Sequence, residues 1–293
     1  MKVALLWALI EVGGLLPARI LYPLADLAAA LAWACSPGIR GVTQGHMARV
    51  LGPTVSAQAR DGAARGCVRS AARYWADMAR TSHLDPAVAF EEFEGFEGIE
   101  HLYSAYDRGC GVVLVTAHLG APEFAVRAAS SLGLDILALT ERLQPAAANA
   151  LLHRARRRHG GRFIEADRGG ARAALAQLRQ GGLVALIADR DVLGTGVPTP
   201  FFGAPAPLPP GPIELALRTG AAVVPCFVLR TGIARCAVRF ARPLAFPRTR
   251  DRAADQRDGM EALARALEAG IASAPDQWFA LQPVWAHTPK MDP

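Results

Sequence analysis

"GVVLVTAHLGAPEFAV", residues Gly111 to Val126, decides how the chain folds. Its first half is a short β-branched run opened by a glycine, the pattern of a buried strand. The run stops on His118, after which Gly120 and Pro122 turn the chain and Glu123 begins a new element. Working outward, similar runs recur at 135–140, 162–166, 182–189, 221–230 and 234–242, and the stretches between the first four are long enough for crossover helices. Strands alternating with helices predict a single α/β domain with a mostly parallel central sheet covered on both faces. Functional groups in such sheets gather beyond the carboxyl ends of the strands, which is where His118 falls.

Upstream, "ARGCVRSAARYWADMAR" places Val68, Ala72, Trp75 and Ala79 at helical spacing among arginines, as in an amphipathic helix. "EEFEGFEG" has some β character at Phe93 and Phe96. The first 34 residues are strongly apolar but are interrupted by Glu11, Pro17, Arg19, Pro23 and Asp26. No uninterrupted run reaches the ~18–20 residues of a spanning helix. The expectation is an amphipathic pair of helices lying in a membrane interface, with a buried helical hairpin as the alternative. The organisation predicted is therefore an N-terminal helical, membrane-associating segment over 1–95 and an α/β core over 96–293. Gly194 to Pro212, dense in Pro and Gly, is expected to be an ordered surface loop without helix or strand.

Composition narrows the function. The 293 residues are 52% apolar and 7% aromatic, with a net charge of +6 and a mean hydropathy of +0.19. The basic residues are arginines except Lys2 and Lys290, which suits planar phosphate recognition, although a GC-rich coding bias gives the same composition. The five cysteines form no C-x-x-C pair, as expected of reduced thiols in a cytosolic environment. The nucleotide-kinase, serine-hydrolase and zinc-protease signatures G-x-x-x-x-G-K-[ST], G-x-S-x-G and H-E-x-x-H are absent. No metal-ligand cluster is visible.

Among seven histidines, His118 alone combines a strand end, a turn and a nearby acid. A carboxylate accepting from Nδ1 would fix the tautomer and leave Nε2 as a base, able to deprotonate an alcohol for attack on an activated acyl group. Glu123, five residues on, can reach back across the turn. The residues alone equally allow a helix-capping acid beside a structural histidine.

"VTAHLGAPEF" resembles the H-x-x-x-x-[DE] motif of the glycerolipid and lipid A acyltransferases. The block from Ala188 to Phe227, with "ADRD", "FFG", Pro-Gly-Pro and "GAAVVP", is similar to a later block of that family, and "RYWADMAR" and "APDQWFALQPVW" resemble its upstream and closing elements. "TERLQP", "IADRDV" and "WFALQ" look most like the actinobacterial phosphatidylinositol mannoside acyltransferases. The resemblance implies a membrane-associated enzyme on the cytoplasmic face of the plasma membrane, bound to anionic lipid. It would move a fatty acyl chain from acyl-CoA or an acyl carrier protein to a glycolipid hydroxyl, without a cofactor or metal. A lipid A or lysophospholipid acceptor is one alternative, and a non-catalytic membrane-binding homologue another.

By resemblance His118 is the general base and Glu123 its motif partner, with Asp189 competing to orient the imidazole. Glu141, Arg156, Arg190 and Asp191 would bind substrate, Arg156 through a phosphate. On the residues alone, Arg190 with Asp189 and Asp191 reads also as a strand-end ion pair, and Arg156 as a helix-face charge. Two departures stand out: Gly120-Ala121-Pro122 replaces the usual Gly-Asn-Trp, and Asp189 is one methylene shorter than the usual Glu.

Overall fold

The computed structural model describes residues 2–124, 126, 133–158 and 162–285. Its centre is a seven-stranded sheet of β1 (Phe93–Glu97), β2 (Val112–Thr116), β3 (Ile136–Thr140), β4 (Arg162–Glu165), β5 (Leu183–Ile187), β8 (Ala222–Gly232) and β9 (Arg235–Phe240), in the order β1-β9-β8-β2-β5-β3-β4. Every neighbouring pair is parallel except β8 with β9. The six apolar runs of the sequence are all strands. The crossover element after Glu123 lies largely outside the described residues.

Alternation along the central strands builds a core on each face. Val113, Val115, Leu137 and Val184 point to one side, where they join the larger cluster with Phe201, Leu263 and Trp278. Val112, Leu114, Ile136 and Leu183 point to the other, covered by Leu102 and Ala105 of α6 (Ile99–Tyr106) and by Phe124. The larger cluster also takes in Trp33 of α2 (Ala18–Cys35), Met47 of α3 (Pro37–Leu51) and Cys67 and Val68 of α4 (Ala57–Thr81). The N-terminal helices thus share the core of the sheet.

Local chemistry sets the helix starts. Ser56 accepts a hydrogen bond from Ala59 N at 3.2 Å at the head of α4, and Asp167 accepts from Gly170 N at 2.8 Å before the helix Arg168–Arg179. α7 (Ala146–Arg157) carries three arginines in its last turn, where the helix dipole favours cations.

The stretch from Gly194 to Pro212 departs from the loop expected of it. It contains an antiparallel hairpin, β6 (Val197–Phe201) and β7 (Ala204–Leu208), and then enters the helix Gly211–Thr219. Pro198 faces Pro207 and Pro200 faces Pro205. Cross-strand pairs of an antiparallel ribbon alternate between those that exchange hydrogen bonds and those that do not. The prolines, which have no N–H, occupy the second kind, so their presence costs the ladder nothing. Phe202 (φ 46°) and Gly203 (φ 76°) turn the hairpin, as a two-residue connection with positive φ requires.

At the N-terminus, α1 (Lys2–Glu11) and α2 are helices as expected, but α2 runs through Pro23 and so gathers 18 residues of mean hydropathy 1.3. By length and composition it could cross a bilayer. Ile20, Leu24, Leu27 and Leu31, spaced four, three and four residues apart, are all about half exposed on its outer side. Its inner side is tied down: Leu21, Tyr22, Ala29 and Trp33 are buried, and Asp26 takes both Nε and Nη2 of Arg73 at 2.7 Å.

Candidate active site

The register of β2 with β5 builds the centre of the site. Thr116 lies opposite Ile187, so two residues further on His118 and Asp189 leave the sheet edge side by side. Asp189, fully buried, accepts from His118 Nδ1 at 2.8 Å and, on its other oxygen, from His118 N at 3.1 Å and Trp278 Nε1 at 2.7 Å. Burial alone would raise this carboxyl, but the facing His118 charge and the bonds from His118 and Trp278 outweigh it and hold the group below the usual carboxylate range. A carboxylate accepting at Nδ1 puts the imidazole proton there and leaves Nε2 with its lone pair. The shorter side chain at position 189 still closes the contact.

The turn after His118 is clamped on every side. His118 O accepts from Phe279 N at 2.7 Å, Gly120 N donates to Gln277 O at 3.1 Å and Ala121 N donates to Val228 O at 2.9 Å. Gly120 has φ 64°, and a Cβ there would stand 1.9 Å from Val228 O, so only glycine fits.

Glu123 is not the partner of His118. It sits in a helical turn begun at Pro122, where Oε1 takes the Tyr74 hydroxyl at 2.7 Å and the Arg156 guanidinium. Glu123 and Arg156 side chains are only 9% and 7% exposed, so this is a buried ion pair. Burial lowers the affinity of the guanidinium for its proton, but Glu123 more than restores it and raises the arginine overall. The carboxylate turns away from His118 because α4 and α7 present a phenol and a guanidinium to it, whereas Asp189 comes from the adjacent strand.

The other expected binding residues divide. Glu141, two-fifths exposed beyond β3, pairs with Arg190 Nη2 at 2.6 Å, and Arg190 also donates to Gln282. Arg156 is occupied by Glu123. Asp191 spends its carboxylate on the backbone of its own loop, accepting from Leu193 N at 3.1 Å and Gly196 N at 2.7 Å. All four line one cavity of about 880 Å³ together with His118 and Glu123. Its walls are mostly aliphatic and aromatic, among them Leu139, Phe163, Leu175 and Phe279. A base in the wall of an apolar cavity of this size can activate a hydroxyl beside a long-chain acyl group. No group of three or more His, Cys, Asp or Glu able to hold a metal occurs among the described residues.

Trp278, Gln277 and Tyr74 carry contacts that sequence reasoning did not assign. Trp278 is 1% exposed and stacks on His46 at 4.9 Å; burial pushes that histidine down to about 4, so it sits neutral behind the dyad. The only sequence signal for these residues was their place in the segments "APDQWFALQPVW" and "RYWADMAR".

Residues 2–287 match the bacterial lipid A biosynthesis acyltransferase family. The chain is 31% identical over 247 residues to the phosphatidylinositol mannoside acyltransferase of Mycolicibacterium smegmatis, covering 82% of this chain and 77% of that protein. It is 30% identical over 245 residues to the protein of the same description from Mycobacterium tuberculosis, covering 82% and 75%. With a match across nearly its whole length, the chain belongs to the bacterial lipid A biosynthesis acyltransferase family and is an acyltransferase.

Proposed function

We propose that the enzyme moves a fatty acyl chain from a thioester, acyl-CoA or acyl carrier protein, to a hydroxyl of a phosphatidylinositol mannoside at the cytoplasmic face of the plasma membrane. His118, which lines the apolar cavity and is paired with Asp189, carries this reading. His118 Nε2 takes the proton of the acceptor hydroxyl as its oxygen attacks the thioester carbonyl; the tetrahedral intermediate then collapses and expels the thiolate, which recovers a proton from the imidazolium. Asp189 stabilises the imidazolium between the two steps. No amide or indole follows Gly120, so acceptor contacts fall to other residues of the cavity wall, among them Glu141 and Arg190. The mannoside acceptor is supported by the descriptions of the two mycobacterial relatives.

The test offers purified protein an acyl-CoA with each of three acceptors: phosphatidylinositol mannoside, a lysophospholipid and an underacylated lipid A precursor. The expected result is acylated mannoside by mass spectrometry. Product confined to either of the other acceptors would overturn the substrate assignment while leaving the chemistry.

The outer face of α2 supplies the membrane contact. Its inner face is committed to α4 through Asp26–Arg73 and Tyr22, so the helix lies along the surface with Leu24, Leu27 and Leu31 outward. Burial of a leucine side chain contributes about 1.5–3 kcal/mol. Leu24→Ser with Leu27→Ser is therefore expected to weaken partition onto anionic vesicles by roughly tenfold or more, measured by co-sedimentation. Unchanged partition would place the membrane contact elsewhere.

A further inference from the structure

Against the His118 turn, at the carbonyl of Gly120, lies a further buried charge that the chemistry above does not use. Arg230, near the end of β8, has a side chain only 6% exposed. It donates through Nη1 to Gly120 O at 2.6 Å and Ser70 Oγ at 3.0 Å, and through Nη2 to Asp77 of α4, itself 1% exposed. Asp77 also accepts from the hydroxyl of Tyr22, 1% exposed, on the inner side of α2. The backbone of Arg230 is fixed as well: its N donates to Gln277 Oε1 at 2.8 Å, and its O accepts from Gln277 Nε2 at 2.9 Å. Gln277 O in turn takes Gly120 N.

Burying a guanidinium and a carboxylate gains little stability over an apolar pair of the same size. A core that needed only packing would not require this one. The arginine ends on the one carbonyl that follows the sharp bend at Gly120, two residues from the base. We infer that Arg230 is a positioning residue for His118: it holds the Gly120 carbonyl, and Asp77 and Tyr22 hold it, so that the outermost link of this chain is the interfacial helix α2.

The inference rests on the proposed role of His118 as base, and its test has a readout that does not depend on turnover. Arg230→Met is expected to lower kcat on the order of 10²-fold, as for a reacting group displaced by about 1 Å, with the KM for the thioester little changed. Arg230→Lys should recover part of that loss, because an ammonium can still reach Gly120 O or Asp77. Tyr22→Phe, which leaves the Arg230–Asp77 pair intact, should lower kcat by a smaller factor. In protein labelled at histidine, the His118 ring resonances, assigned by their absence from His118→Ala, should move in Arg230→Met and Tyr22→Phe.

If Arg230→Met fails to fold because Asp77 is left buried and unpaired, the charge-neutral Asp77→Asn/Arg230→Met protein takes its place. Wild-type kcat in a folded variant lacking the guanidinium would overturn the inference. So would a lower kcat with unmoved His118 resonances, since the loss would then arise elsewhere. A wild-type protein without thioester turnover would count against the proposed function alone, because the resonance comparison stands without it.

Discussion

Asp189→Asn is expected to cut kcat by roughly 10²- to 10⁴-fold, the usual weight of general-base assistance, while the protein remains folded. The geometry sets the direction. One oxygen of Asp189 faces two donors, His118 N and Trp278 Nε1, and the other faces His118 Nδ1. An asparagine amide will turn its single oxygen toward the two donors, which leaves its NH₂ opposite Nδ1. The imidazole must then accept at Nδ1 and carry its proton on Nε2, the nitrogen required as base. The substitution keeps the shape of the site and inverts the tautomer. Thioester consumption at saturating donor and acceptor measures it, with His118→Ala alongside as the variant without any imidazole. Turnover within a fewfold of wild type in either would sink the base assignment.

Glu123→Ala carries the largest expected effect on stability. Its carboxylate is the counter-charge of Arg156 and the acceptor for Tyr74, with both members of the ion pair nearly out of solvent. Removing one partner of such a pair leaves an uncompensated buried charge, which costs about 3–5 kcal/mol. Urea titration should show that loss, and Glu123→Gln, which keeps an acceptor oxygen for the phenol and guanidinium, should lose less. A motif acid that served the imidazole would behave the other way, with kcat falling in Glu123→Gln at unchanged stability. An alanine variant within about 1 kcal/mol of wild type would show that the pair does not hold the cavity wall together.

These two residues show what could and could not be read from the chain. Strand runs announced themselves because parallel strands buried on both faces are locally apolar, and a histidine ending one of them is visible in any single sequence. The acid paired with it is not: resemblance offered both Glu123 and Asp189, and the residues alone did not choose between them. His118 and Asp189 are neighbours only because β5 inserts between β2 and β3, and a register of that kind is a property of the sheet. Proximity in sequence favoured Glu123, yet a helical turn aims it at Tyr74 and Arg156, which arrive from helices far apart in the chain. The hairpin at Val197–Leu208 was hidden by its own prolines: density of proline signals a loop unless their pairing across two strands is known. α2 was legible as amphipathic, but its unbroken course through Pro23 was not.

The clamp on the His118 turn also fixes an order of events. Gln277, Trp278 and Phe279 each bind it or its acid, yet they are made long after β2, β5 and β8. During synthesis the strands that bring His118 beside Asp189 precede the residues that close the turn and one wall of the cavity. Only when residues 277–279 dock does the turn gain its bonds to Gln277 and Phe279, and Asp189 the bond from Trp278. A nascent chain halted before Gln277 would therefore carry the strand ends of His118 and Asp189 without the Gln277 and Phe279 bonds to the turn, and with the cavity wall at Phe279 missing.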